Sequence, residues 1–63
     1  MSIFKIIEVK KYECRIKAIG QVLYYQYDYP NRDLWIHLFE HNGKRDDVFE
    51  KICDKHDIKV TYE

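Results

Sequence analysis

The chain has 63 residues, 46% hydrophobic and 16% aromatic, with 11 Lys/Arg balanced by 11 Asp/Glu. Composition this apolar excludes a disordered tail, the length allows one small domain spanning 1–63, and zero net charge excludes a uniformly basic nucleic-acid coat. No apolar run is long enough to span a membrane, and two cysteines, Cys14 and Cys53, without CxxC spacing make no disulfide framework. The expectation is a chain with no membrane partner in a reducing intracellular compartment, cytoplasmic or nuclear.

Ser2 to Lys10 alternates imperfectly, with Ile3, Ile7 and Val9 on one face and Phe4, Ile6, Glu8 and Lys10 on the other. Apolar residues on both faces predict a strand covered on both sides. Glu8 and Lys10 are two apart, so their side chains leave the same face near the carboxyl end, where open α/β sheets place ligands. From about Tyr12 to Tyr27 the period becomes helical. Ile16, Ile19, Leu23 and Tyr27 are expected to line the buried stripe, with Ala18 and Val22 beside it. Gly20 inside this helix costs about 1 kcal/mol relative to Ala and predicts a close approach to the sheet. Lys17, Gln21 and Tyr25 follow at steps of four on a neighbouring stripe. The cluster Tyr24, Tyr25, Tyr27 and Tyr29 reads first as core and boundary, with base stacking as the alternative.

Pro30 and Asn31 stop the helix. Asp33 to Glu40, DLWIHLFE, is a second strand, apolar on both faces and hence central, with His37 a satisfied core histidine. Glu40 and His41 end that strand as candidates for a metal ligand. HNGKR is a turn, and Asp47 with Glu50 forms an expected capping box before a helix that buries Val48, Phe49, Ile52 and Cys53. Cys53 and His56, three apart, read as a buried thiol and an exposed imidazole rather than a zinc pair. Ile58 to Tyr62 alternates as a closing strand. The architecture is α/β, a small three-stranded sheet in the order of elements β-α-β-α-β, with right-handed crossovers between parallel neighbours.

Glu8-x-Lys10 followed by Gln21-x-x-x-Tyr25, with Ala18-Ile19-Gly20-Gln21-Val22-Leu23 leading into the tyrosine, resembles the PD-(D/E)xK nuclease superfamily. Within it, the likeness is to the RecB-type branch in which a Q-x-x-x-Y helix follows the E-x-K strand. The resemblance implies a truncated restriction-endonuclease-like core in which Glu8 binds a divalent metal such as Mg²⁺. Lys10 would then stabilise the attacked phosphate, and Gln21 and Tyr25 would brace the site or touch nucleic acid. The family's upstream acid is missing, since no Asp or Glu precedes Glu8. Glu40 or a second chain would have to supply it.

Residues 1–32 hold six Lys/Arg and three Asp/Glu, residues 33–63 five and eight. Lys11, Arg15 and Lys17 on the basic half are therefore the nucleic-acid-binding candidates. The function expected is a nuclease-like interaction module for nucleic acid or protein, without independent catalysis. The alternatives are a minimal Mg²⁺-dependent nuclease completed by dimerisation or a partner, and a structural α/β oligomer with Glu8 and Lys10 as a surface ion pair. The family's first hairpin is absent, which leaves a sheet edge open for a homodimer or a docked protein. A virus or other mobile element is one setting for such a trimmed core.

Overall fold

A computed structural model describes residues 5–63. The elements run β1 (Lys5–Lys11), a 3₁₀ turn (Tyr12–Cys14), α1 (Arg15–Asp28), β2 (Asp33–Phe39), α2 (Asp47–Lys55) and β3 (Ile58–Tyr62). The three strands form one parallel sheet in the order β1-β2-β3. The expected α/β architecture is therefore present. The part of the first strand expected over Ser2, Ile3 and Phe4 lies outside the described residues.

Strand order and chirality together dictate the layering. The chain steps from β1 to β2 to β3 in one direction across the sheet, and a right-handed crossover at each step puts its helix on the same side. Both helices consequently cover one face. Leu34, Ile36 and Leu38 of β2 point into that layer and are buried against Ala18 and Val22 of α1 and Phe49 and Cys53 of α2. Burying each of the larger of these side chains contributes roughly 1.5–3 kcal/mol relative to exposure.

The other face has no covering layer among the described residues. Ile7 and Val9 are 51% and 54% exposed there, and Trp35, His37 and Phe39 are half-buried. This corrects the expectation that β1 and β2 are covered on both sides. Two crossovers that step the same way leave no helix for the second face. His37 is satisfied as expected, but on this open face and not in the core.

The helices also differ from their sequence reading. Helix α1 turns Ala18 and Val22 fully inward, while Ile16 and Tyr27 of the expected stripe are 60% and 88% exposed. A helix covered on one side only has a narrow contact arc, and the small side chains occupy it so that the backbone sits close to the sheet. In α2 the N-cap is Asp46, not Asp47, and its carboxylate accepts the Phe49 backbone N–H at 3.0 Å. That leaves Glu50 free to bind Arg45. Phe49 and Cys53 are buried, whereas Val48 and Ile52 stay exposed on the outer side. His56 is exposed beside the buried Cys53, as expected.

Gly20 lies on the solvent side of α1, and a Cβ built there meets nothing within 4 Å. The anticipated close approach to the sheet is absent. Gly20→Ala is therefore expected to stabilise the fold by about 0.5–1 kcal/mol, through helix propensity and a less flexible unfolded chain. Thermal unfolding followed by circular dichroism should show the midpoint rising by a few degrees. An unchanged or lower midpoint would mean that the glycine answers a contact outside this chain.

Candidate functional site

Two regions gather side chains with chemical potential. The first lies along the free edge of β1. Glu8 and Lys10 sit opposite Ile36 and Leu38, on the helix-covered face, and are half-buried. Among the described residues neither makes an ion pair. Arg15 of α1 reaches Asp46 at the start of α2, and Ile19 and Leu23 pack toward the core. By helical spacing Gln21 and Tyr25 then project from the opposite flank of α1, above the β1 edge. The Gln21 carboxamide oxygen is shut off from solvent without a hydrogen-bond partner. Glu8, Lys10, Gln21 and Tyr25 thus lie on one side of the molecule.

Among the described residues no set of metal ligands gathers around them. Parallel pairing sets Glu8 against Ile36, so Glu40 lies four residues further along β2, a separation of about 13 Å at the rise of a strand. Glu40 also takes a left-handed backbone (φ 58°) as the chain leaves the sheet, and its carboxylate sits 3.8 Å from Lys11 Nζ. His41 is used structurally, its Nδ1 lying 3.0 Å from the Glu63 carbonyl oxygen and its ring tilted against Tyr62. No group of three His, Cys, Asp or Glu side chains able to hold a metal occurs among the described residues. Magnesium prefers several oxygens in octahedral geometry, which one carboxylate does not provide.

The three basic candidates differ in their surroundings. Lys11 is exposed at the end of β1 beside Glu40, and Lys17 is exposed on α1. Arg15 is committed inside the fold. Its Nη2 and Nε lie 2.8 and 2.9 Å from Asp46, it donates to the Tyr12 carbonyl, and its guanidinium stacks 4.3 Å from the Tyr12 ring.

The second region is the open face of the sheet. Register places Ile7, Trp35 and Lys59 in one row and Val9, His37 and Thr61 in the next. The ammonium groups of Lys5 and Lys59 lie 5.0 and 4.8 Å from the centre of the Trp35 ring. Both are within range of a cation–π attraction. The indole N–H donates to Thr61 Oγ1 at 2.8 Å, which is 2.7 Å from His37 Nδ1, and His37 Nε2 is 3.0 Å from Glu63. With the neutral imidazole protonated on Nε2, every donor in this chain meets an acceptor. The network anchors the indole, and the ammonium groups of Lys5 and Lys59 both lie against its ring.

Sequence reading missed this group because it is made from three strands. The signal was residue parity. Lys5, Trp35 and Lys59 share a face only once parallel register is known.

A third cluster is structural. Arg45 clasps Glu50 with two hydrogen bonds of 2.6 and 3.0 Å and lies 4.6 Å from the Tyr62 ring, and the Tyr62 hydroxyl donates to the same carboxylate. The Arg45 bond and then the Tyr62 bond hold the Glu50 carboxyl below its usual range. Burial, followed by the Glu50 contact, pushes the Tyr62 phenol up to about 12. This ties the turn after β2 to the end of β3. The two cysteines are free thiols, with Cys53 raised to about 11 by burial.

Comparison with known proteins adds one relative. The chain is 36% identical over 56 residues, 89% of its length, to L33 of Acanthamoeba polyphaga mimivirus, which is named as a KilA-N domain-containing protein. It spans only 23% of that protein. The PD-(D/E)xK assignment does not hold. The matched relative carries the name of a different family. E-x-K and Q-x-x-x-Y recur readily where a charged strand precedes an amphipathic helix, and here no acid converges on them. No protein-family model matches the chain, and no solved structure matches it. No helix among the described residues is long and apolar enough to cross a membrane.

Proposed function

We propose that the chain is a nucleic-acid-binding module that works through the open face of its sheet. The observation that carries this reading is Trp35 with the ammonium groups of Lys5 and Lys59 against its ring, on the face that no helix covers among the described residues. The arrangement combines the two elements that single-stranded nucleic acid needs: cations for the phosphates, and an aromatic ring on which a base stacks once a lysine swings from over the ring to a phosphate. The viral relative, named for a KilA-N domain, lends support to a nucleic-acid-binding reading. Zero net charge implies modest affinity that depends on this local grouping and not on a general basic field.

Trp35 is the sole tryptophan, so its fluorescence reports on the face directly. Titration with single-stranded oligonucleotides is expected to quench it. Two phosphate contacts give a log–log salt slope of about −1.4. The double substitution Lys5→Ala and Lys59→Ala should flatten that slope, while Glu8→Ala leaves binding unchanged. Binding that survives the double substitution, or the absence of any saturable quenching by DNA or RNA, would remove the reading.

A further inference from the structure

We propose that a second copy of this chain pairs with the free edge of β1, antiparallel, with Val9 on the twofold axis. Among the described residues β1 has a neighbour on one side only, which leaves its other edge open, and Ile7 and Val9 on it are more than half exposed. An exposed apolar edge strand is a template for another strand. Symmetry limits what that strand can be. A closed pair of identical chains requires antiparallel pairing with one residue facing its own copy.

Side-chain charge then selects the register. Centring the pair on Glu8 sets Glu8 against Glu8 of the second copy and, twice over, Lys5 against Lys11, three like-charge clashes. Centring it on Lys10 sets Lys10 against its own copy. Centring it on Ile7 sets Glu8 against the apolar Ile6. With Val9 on the axis, Glu8 of each copy faces Lys10 of the other, twice over, and each Ile7 is covered by the stem of the opposing Lys11. This register neutralises both Glu8 and Lys10, which have no ion-pair partner within the described chain. Cross-strand pairs of opposite charge are favourable and like charges directly opposite are not.

The same edge runs beneath the flank of α1 that carries Gln21, whose carboxamide oxygen is buried and unpartnered. The twofold axis would bring the matching flank of the second α1 alongside it. The product is a six-stranded sheet with all four helices on one face and a continuous open face on the other. It does not depend on nucleic-acid binding.

Five residues from each chain make a small interface, so dimerisation belongs to the weak class and is sought at high protein concentration. Sedimentation equilibrium of the whole chain at about 1 mM, a concentration that detects such weak association, is expected to show a monomer–dimer equilibrium. E8K and K10E, each alone, put two like-charge pairs on the axis and should weaken association roughly ten- to hundredfold. An equimolar mixture of the two single variants should dimerise again, because the reversed position 8 of one faces the reversed position 10 of the other, and the native Lys10 of the first faces the native Glu8 of the second. In the same way E8K/K10E on one chain should restore the homodimer. Circular dichroism establishes that each variant is folded. A wild-type chain that stays monomeric overturns the proposal. So do single variants that associate as well as wild type, or a mixture that remains monomeric.

Discussion

Phe49→Ala is expected to cause a large loss of stability, seen as a much lower urea midpoint of unfolding. Phe49 is the largest fully buried side chain, and it fills the space between α2 and the inner face of the sheet beside Ile36, Leu38 and Cys53. Removing a buried phenylalanine ring costs about 3–5 kcal/mol, from lost transfer energy and from the cavity that remains. A chain of this length has a total stability of about 3–9 kcal/mol at the usual increment per residue. The substitution therefore removes a third of that stability or more. Urea titration followed by circular dichroism measures the loss. Phe49→Leu, which keeps most of the volume, is expected to retain a cooperative transition at a lower midpoint. An alanine variant as stable as wild type would mean that α2 is not docked through this ring.

Asp46→Ala is expected to destabilise the fold by about 2 kcal/mol, because one carboxylate carries two duties. It caps α2 through the Phe49 N–H and holds the Arg15 guanidinium of α1, with both side chains about three-quarters buried. Asp46→Asn separates the two. Asparagine caps as well as aspartate does but offers no charge to Arg15, so it should recover roughly half the loss. The pH profile follows from the same contacts. The Phe49 N–H first and Arg15 second hold the Asp46 carboxyl below its ordinary 3.8, and Arg45 and then Tyr62 hold Glu50 below its ordinary 4.5. For a carboxyl depressed in the folded state, the contribution is full above the unfolded value and is lost as pH falls through the folded one. Acid unfolding should accordingly set in below about pH 4, and Asp46→Ala should flatten that limb of the profile. A limb of unchanged steepness would place the acid sensitivity elsewhere.

Much of the fold is legible in local chemistry. The alternation from Ile58 to Tyr62 marks β3 to the residue, and DLWIHLFE marks β2 to within one. Pro30 and the Asn42-Gly43 turn separate the elements because their backbone preferences act within a few residues. The E-x-K and Q-x-x-x-Y spacings were equally legible and misled. Spacing puts Glu8 with Lys10 and Gln21 with Tyr25 on shared faces, but it carries no information on whether a second carboxylate arrives in space.

By itself, then, the sequence determined the element order, the parallel α/β class and the apolar residues from which the core is drawn, all consequences of periodicity and turn chemistry along the chain. The tertiary structure decided the rest. Two crossovers of one hand put both helices on one face, so Trp35, Ile7 and Val9 stayed in the open. Inter-strand register brought Lys5 and Lys59 to the same indole and kept Glu40 away from Glu8. Handedness and register are relations between segments far apart in sequence, set by which packing buries Ile36, Leu38 and Phe49 together, and no local pattern of residues encodes them.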